Sequence, residues 1–284
     1  MEIGKLGVFY FTDGFTAAQA AGFARKVERL GYGALWYPEA LGRETMAHAS
    51  WLLANTERLV IASGIANIFA RDPQATAAAS LALSEQSNSR YLLGLGVSHA
   101  PLVRDVRGHA YHKPLQRMRE YLQNMGRAVY RAPRPSEDSE VVLAALGPKM
   151  LELAGAMTDG AHPYNVTPEH TAFARGILGP EKRLYVEQKV MLETDPTRAR
   201  AAARQALDFY LAAENYRNNW KRLGFGDGEI DGPSDRFLDA MVAWGDADAL
   251  RRRIQEHWDA GADHVCIQPV GDVDRVLEAL GPNQ

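Results

Sequence analysis

The residues in this sequence that could bind an anion or move a proton lie in short loops, each after a run typical of a buried β-strand. The clearest is Gly147-Pro148-Lys149, which follows the apolar run 141–145. A glycine followed by a proline at a helix start exposes backbone N–H groups at the positive end of the helix dipole. This segment therefore predicts a phosphate-sized anion site, although Gly-Pro also opens ordinary helices.

Several other chemistries have little support. The eight histidines contain no His-x-x-x-His pair with a nearby carboxylate, and His109 and His112 have no third ligand beside them, so no metal site is expected. No predicted strand ends in a lysine suited to a Schiff base, and no Gly-x-Ser-x-Gly nucleophile motif occurs. A bound cofactor is then the expected source of reactivity.

Composition excludes some classes of partner. The chain has 284 residues, and its 32 basic and 35 acidic side chains give a net charge of −3, so no global field favours nucleic acid or an anionic membrane. The single cysteine, Cys266, fits a reducing compartment. The N-terminus has no signal-peptide pattern and no stretch is long and apolar enough to span a membrane, so a cytoplasmic location is expected.

Short apolar runs typical of β-strands alternate with helical patterns along the chain, and these elements must position the loops. Eight apolar runs on this pattern favour a parallel sheet covered on both faces. A doubly wound open sheet is the competitor, but no Gly-x-Gly-x-x-Gly follows the first run, so we predict one α/β domain over 1–284, a (β/α)8 TIM barrel. The predicted strands are 6–11, 34–37, 59–63, 91–95, 141–145, 160–162, 185–192 and 264–268.

One segment, 196–245, interrupts this alternation with extra helical material after the seventh strand. Its aromatic residues are expected to pack the insertion onto the barrel. Because an insertion after a barrel strand lies at the face where active sites form, one or two of them could also wall a substrate pocket. These aromatic residues are Tyr210, Tyr216, Trp220, Phe225 and Phe237.

Four segments at predicted strand ends carry a family resemblance: 31–39, 64–73, 91–96 and 144–150. Their residues and their order resemble the luciferase-like monooxygenase superfamily, and within it the branch that uses the deazaflavin coenzyme F-420. The resemblance runs from Leu6 to Pro269.

The resemblance implies a cofactor site. A non-prolyl cis peptide is expected within Ser63-Gly64-Ile65, where a backbone bulge would press on the ring. Asn67 and Gly96 match cofactor-contacting positions, and Asn67 could equally be a turn residue that bonds its own backbone. The phosphate would lie at Leu146, Gly147, Pro148 and Lys149.

The resemblance also implies where a proton would be handled. Glu39 matches an acidic residue near the ring, and His99 stands where sugar-phosphate dehydrogenases of the superfamily have a glutamate. Those enzymes have a histidine where this chain has Ala40, so their substrate is not carried over. Candidate substrate contacts are His162, Tyr164, Asn165 and Tyr111.

The sequence and the resemblance thus predict a deazaflavin-dependent oxidoreductase that transfers hydride to or from a small molecule. No nucleic-acid or membrane partner is expected. Two alternatives stay open: a monooxygenase that uses flavin mononucleotide (FMN), and a non-catalytic flavin-binding barrel. Similar proteins commonly form homodimers, and a homodimer is expected here.

Overall fold

A computed structural model describes residues 2–283, and within them the chain forms ten strands and twelve α-helices. The strands are β1 (Leu6–Phe9), β2 (Ala34–Tyr37), β3 (Val60–Ser63), β4 (Ala66–Asn67), β5 (Tyr91–Gly96), β6 (Val141–Leu143), β7 (Gly160–Ala161), β8 (Arg183–Leu192), β9 (Val242–Gly245) and β10 (His264–Pro269). The helices are α1 (Ala17–Arg29), α2 (Thr45–Ala54), α3 (Pro73–Gln86), α4 (Pro114–Met125), α5 (Pro148–Met157), α6 (Pro168–Leu178), α7 (Pro196–Leu211), α8 (Glu214–Arg222), α9 (Asp227–Asp231), α10 (Asp235–Met241), α11 (Ala247–Asp259) and α12 (Val273–Leu280). A short π-helix spans Leu102–Val106.

Eight parallel strands close into a barrel. The pairing runs β1-β2-β3-β5-β6-β7-β8, and β10 pairs with both β8 and β1, which leaves no open edge in the ring. The predicted (β/α)8 barrel is therefore confirmed over the open sheet.

Two strands were not predicted. β4 is only two residues long and pairs with β5, beyond the end of β3. β9 lies in the segment predicted to be helical, and it pairs with β8 from Lys189↔Val242 to Leu192↔Gly245. It occupies the side of β8 that β7 pairs only at Arg183 and Leu184, so the end of β8 gains a hydrogen-bonding partner.

Helix starts follow the sequence signals. Thr16 caps α1 in a capping box with Gln19, and Asp72 caps α3 ahead of a proline in the first turn. α5 differs, because its N-cap residue is Gly147 and no side chain caps the helix. Its first turn is therefore open to another hydrogen-bond acceptor.

Alternate residues of the strands face two different layers. Val8, Leu35 and Leu93 pack outwards against the helices. Their neighbours pack inside the barrel, where Trp36 and Leu92 are fully buried. The barrel interior is thus filled by side chains, and a ligand site must lie at one end.

The insertion forms its own small core, as expected from its aromatic residues. Trp220 contacts Phe237 at 4.9 Å between ring centroids, and Phe225 contacts Phe237 at 5.3 Å. This cluster also packs on Met191 of β8, which fixes the insertion over one side of the barrel mouth.

Candidate active site

The end of β3 carries the predicted backbone feature. The peptide bond between Gly64 and Ile65 is cis, within the segment singled out by the resemblance. Ser63 Oγ donates a hydrogen bond to the Gly94 carbonyl at 2.9 Å and accepts one from the Gly94 N–H at 3.0 Å. A Cβ on Gly94 would lie 2.0 Å from the Ser63 carbonyl oxygen, so only glycine allows β3 and β5 to approach in this way.

The cis peptide lies against the barrel interior. A Cβ added to Gly64 would lie 2.7 Å from the Phe9 ring and 3.2 Å from His162 Nε2. The Ile65 side chain packs over Gly96, where a Cβ would approach it to 2.5 Å. Backbone therefore forms much of the surface at the ends of β3 and β5.

Both carboxylate oxygens of Glu39 are engaged in hydrogen bonds. Its Oε2 accepts hydrogen bonds from the Asn67 N–H at 2.8 Å and from Arg71 Nη1 at 3.0 Å, and its Oε1 pairs with Arg71 Nη2. The Glu39 side chain is only 4% exposed. These contacts indicate that Glu39 holds the loop that follows β4, and the proton-transferring role expected from the resemblance stays a prediction.

Asn67 is buried, and its Oδ1 accepts the Phe69 N–H at 2.9 Å. This is the local turn contact that the sequence allowed as an alternative to cofactor binding. The side-chain oxygen of Asn67 is therefore used within its own loop.

The His99 side chain, in the loop after β5, contacts aromatic residues of the insertion. Its ring lies 5.7 Å from that of Tyr216 and 5.9 Å from that of Phe209. Burial lowers the pKa of His99, and a hydrogen bond with Asn215 offsets this only in part. The imidazole is therefore neutral near pH 7 and can accept a proton.

Tyr111 lies further along the same loop. Its hydroxyl donates to the Ser98 carbonyl at 3.3 Å, and its ring packs 5.9 Å from that of Phe69. Tyr111 thus joins the loop after β5 to the loop after β4, on the rim of the barrel.

His162 lies deeper than a substrate contact was expected to lie. Its ring stacks on Trp36 at 4.3 Å, and its Nδ1 donates to the Tyr185 carbonyl at 2.8 Å. Burial lowers the pKa of His162 to about 4, so the ring is neutral. Its Nε2, beside Gly64, is buried without a hydrogen-bond partner among residues 2–283.

Tyr164 and Asn165 belong to a buried polar cluster at the mouth. The Tyr164 hydroxyl donates to Gln268 Oε1 at 2.8 Å and bonds the Tyr210 hydroxyl at 2.8 Å. Asn165 Oδ1 accepts from Lys189 Nζ at 2.5 Å.

The centre of this cluster, Lys189 with Glu187, was missed in the sequence. Both side chains are 1% exposed, and Lys189 Nζ lies 3.2 Å from Glu187 Oε1 and 4.1 Å from the centroid of the Tyr164 ring. Burial lowers the pKa of Lys189, partly offset by the charge of Glu187. The sequence feature that could have identified this pair is its spacing: two charged residues at i and i+2 lie on one face of a largely apolar strand.

The predicted anion segment lies at the same end of the barrel. The Gly147 carbonyl accepts the first intrahelical bonds of α5, from the N–H groups of Met150 and Leu151, each at 3.1 Å. The Leu146 carbonyl accepts from His170 Nε2 at 2.9 Å. Pro148 has no N–H, and Lys149 is exposed, so its N–H and side chain are available to an anion.

A cleft of about 450 Å³ lies nearby, between the loop after β4 and α4. Phe69, Arg71, His109 and Tyr121 contribute to its lining. Its lining includes none of Ser63, Gly64, Ile65 and Gly96, so it is not the ring site predicted above.

Residues 2–283 contain no group of three or more histidine, cysteine, aspartate or glutamate side chains placed to hold a metal ion. They also contain no helix with the length and apolar character needed to cross a membrane.

The closed barrel and the uncapped helix after the fifth strand of its ring define an α/β-barrel protein with a candidate ligand site at the carboxyl ends of its strands. Residues 4–264 match the model of the family described as luciferase-like monooxygenase. The chain belongs to this family.

Two curated relatives are similar over most of the chain. One, from Mycobacterium tuberculosis, is named as a coenzyme F-420-dependent oxidoreductase; it is 25% identical over 88% of this chain and 90% of its own length. The other is the 5,10-methylenetetrahydromethanopterin reductase of Methanolobus tindarius, which is 24% identical over 92% of this chain and 94% of its own length.

Solved structures share the fold. An F-420-dependent secondary alcohol dehydrogenase in complex with an F-420–acetone adduct superposes with a TM-score of 0.80 at 15% identity, covering 98% of this chain and 97% of the other. The oxygenating constituent of 3,6-diketocamphane monooxygenase from Pseudomonas putida, in complex with FMN, has a TM-score of 0.71 at 14% identity, covering 98% and 96%.

Proposed function

We propose that this protein is an oxidoreductase that uses the deazaflavin coenzyme F-420 and exchanges a hydride with a small organic substrate. The observation that carries the proposal is the backbone surface at Gly64, Ile65 and Gly96, which lies at the same barrel end as the uncapped start of α5. The name of the relative from Mycobacterium tuberculosis, at 25% identity, supports the same cofactor.

The residues present fit such a cofactor at two points. Backbone at Gly64, Ile65 and Gly96 would lie against the ring, and the open first turn of α5 would hold the phosphate with N–H groups and the helix dipole. The bound ring would supply the hydride chemistry, and the protein supplies binding, orientation and exclusion of water.

His99 is our candidate for handling the substrate proton. It is neutral near pH 7, and it lies beside aromatic residues of the insertion that would exclude water from the pocket. A neutral imidazole accepts a proton from a substrate hydroxyl as hydride leaves the carbon, and returns it in the reverse direction.

Tyr164 and its partners would form the opposite wall of the pocket. Tyr164 contacts Tyr216 at 6.1 Å between ring centroids, and Tyr216 also contacts His99. The proposed pocket is therefore aromatic, which favours a substrate with a substantial apolar part.

The test is a parallel titration of the purified protein with F-420 and with FMN, each followed by its own fluorescence. We expect F-420 to bind and FMN to bind more weakly, and we expect reduced F-420 to be reoxidised by members of a panel of ketones, aldehydes and activated alkenes. Tight binding of FMN alone, with no effect of F-420, would contradict the proposal.

An FMN-dependent monooxygenase is the second candidate, supported by the shared fold of the FMN-bound diketocamphane enzyme. It predicts oxygen consumption with reduced FMN, which an oxygen electrode measures directly. The homodimer and the cytoplasmic location expected from the sequence stay predictions.

A further inference from the structure

One face of α8 in the insertion carries three polar side chains. Asn215, Asn219 and Arg222 are spaced i, i+4 and i+7, which places them on one side of the helix. Asn215 lies beside His99, and Arg222 lies at the other end of the helix, next to Gly147. About 10 Å of helix separates the two contacts, so α8 reaches both the proposed proton-handling residue and the proposed phosphate site.

Arg222 lies close to the open end of α5. Its Nη2 is 3.5 Å from the position that a Cβ on Gly147 would occupy. A guanidinium and the positive end of a helix dipole repel each other unless an anion lies between them. Their proximity therefore indicates an anion site with charge on two sides.

The partners of Arg222 support this interpretation. It donates a hydrogen bond to Asn219 Oδ1 at 3.1 Å, and no ion pair to it is present within residues 2–283. Arg217 of the same helix, in contrast, pairs with Asp227 at 2.9 Å and with Asp231 at 2.7 Å. Burial lowers the pKa of Arg222, as expected for a cation without a carboxylate partner.

A second group beside Arg222 also lacks a partner. Asn219 is 1% exposed, and its Nδ2 is a buried donor with no acceptor among the described residues. Its other amide atom bonds the guanidinium, so the unused donor belongs to the same cluster. A buried donor without an acceptor is costly, and an anion oxygen would satisfy it.

We infer that Arg222 and Asn219 bind the phosphate of the cofactor from the insertion side, opposite the start of α5. The inference rests on the proposed function for the identity of the ligand. It assigns the positive charge of the phosphate site to the Arg222 side chain, whereas the sequence analysis indicated the Lys149 side chain. It also makes the insertion part of the cofactor site as well as a wall of the substrate pocket.

The first test compares Arg222→Gln with the control Lys221→Gln, which removes a charge from the neighbouring position, where Lys221 pairs with Asp227 on the exposed surface. The probes are F-420 and its ring-bearing ribityl fragment without the phosphate. We expect Arg222→Gln to weaken F-420 binding about 10- to 100-fold, the range of a charge-assisted hydrogen bond, and to leave binding of the phosphate-free fragment unchanged. Lys221→Gln should match the wild type in both titrations.

Equal weakening of both probes by Arg222→Gln, or no weakening of either, would overturn the inference while leaving the proposed function in place. If the wild type binds neither F-420 nor FMN, the proposed function fails. Inorganic pyrophosphate then tests the site alone: a rise in Tm for the wild type and Lys221→Gln, absent in Arg222→Gln, supports it, and equal responses reject it.

Asn219→Asp is a second variant that keeps the side-chain shape. The new carboxylate would pair with Arg222, so Tm should stay unchanged or rise, while F-420 binding should weaken at least as much as in Arg222→Gln. A variant with wild-type F-420 affinity and a folded circular dichroism spectrum would contradict the role of this cluster.

Discussion

Replacing Glu39 with glutamine separates an anchoring role from a proton-transferring one. Glu39 bonds both Arg71 and the Asn67 N–H, and its side chain is 4% exposed. Removing one partner of a buried ion pair costs about 3–5 kcal/mol. Glutamine keeps the side-chain volume and one acceptor oxygen, and Arg71 keeps its contact to Glu44 at 2.6 Å. We therefore expect the free energy of unfolding to fall by about 2–3 kcal/mol.

This loss would lower Tm by about 4–12 °C, because each kcal/mol shifts Tm by roughly 2–4 °C in a large single domain. Glu44→Gln is the matched control: it removes the other carboxylate that binds Arg71, but the Glu44 side chain is 52% exposed. Its cost should be about 1 kcal/mol or less. Thermal and urea unfolding of the two variants measure the difference.

The kinetic readout distinguishes the two roles. If Glu39 anchors the Asn67 loop, Glu39→Gln raises the KM for the cofactor and leaves the shape of the pH–rate profile unchanged. A variant with wild-type stability whose pH–rate profile has lost one limb would refute our assignment, since that result is expected when the general acid or base is removed.

Three further predictions concern other parts of the site. His99→Gln should remove the acid limb of the pH–rate profile for substrate oxidation; in the wild type that limb should lie below pH 6.5, because burial lowers the His99 pKa and the neutral ring is the active base. Gly94→Ala should unfold at a markedly lower urea concentration than the wild type, because its Cβ would lie 2.0 Å from a backbone oxygen. Gly22→Ala is the control: a Cβ there, in helix α1, would meet open space, so the free energy of unfolding should rise by up to about 1 kcal/mol. Lys189→Met should cost about 3–5 kcal/mol in urea unfolding by leaving Glu187 buried and unpaired, and adding Glu187→Gln should recover part of that loss; a double variant no more stable than the single one would contradict this account.

Much of the barrel could be predicted because its strands are short apolar runs at regular intervals. The eight strands of the closed ring lie where their patterns indicated, and α5 begins at Pro148, where the Gly-Pro pair indicated a helix start. β4 and β9 escaped prediction for different reasons. β4 is too short to form a pattern, and β9 follows α10 without an intervening turn signal, so Val242 read as a continuation of the helix.

The candidate site was harder to predict, because its contacts join distant parts of the chain. The sequence offers no sign that Glu39 pairs with Arg71, and this contact decides what Glu39 can do. Lys189 lies inside a predicted strand, where burial was expected to exclude charge; it is tolerated because Glu187 and Asn165 satisfy it at the barrel mouth. The proposed role of Arg222 in the anion site depends on its position beside Gly147, which the sequence does not show.

β9 has a consequence for how this protein can diverge. It pairs with the last residues of β8, so Leu192, where the insertion leaves the barrel, is the register partner of Gly245, where the chain returns. Neighbouring strands are about 4.8 Å apart, so the inserted segment begins and ends at neighbouring positions on the barrel. Such a cassette can lengthen, shorten or be exchanged without moving the ring of strands, which would let substrate choice be rebuilt on an unchanged scaffold.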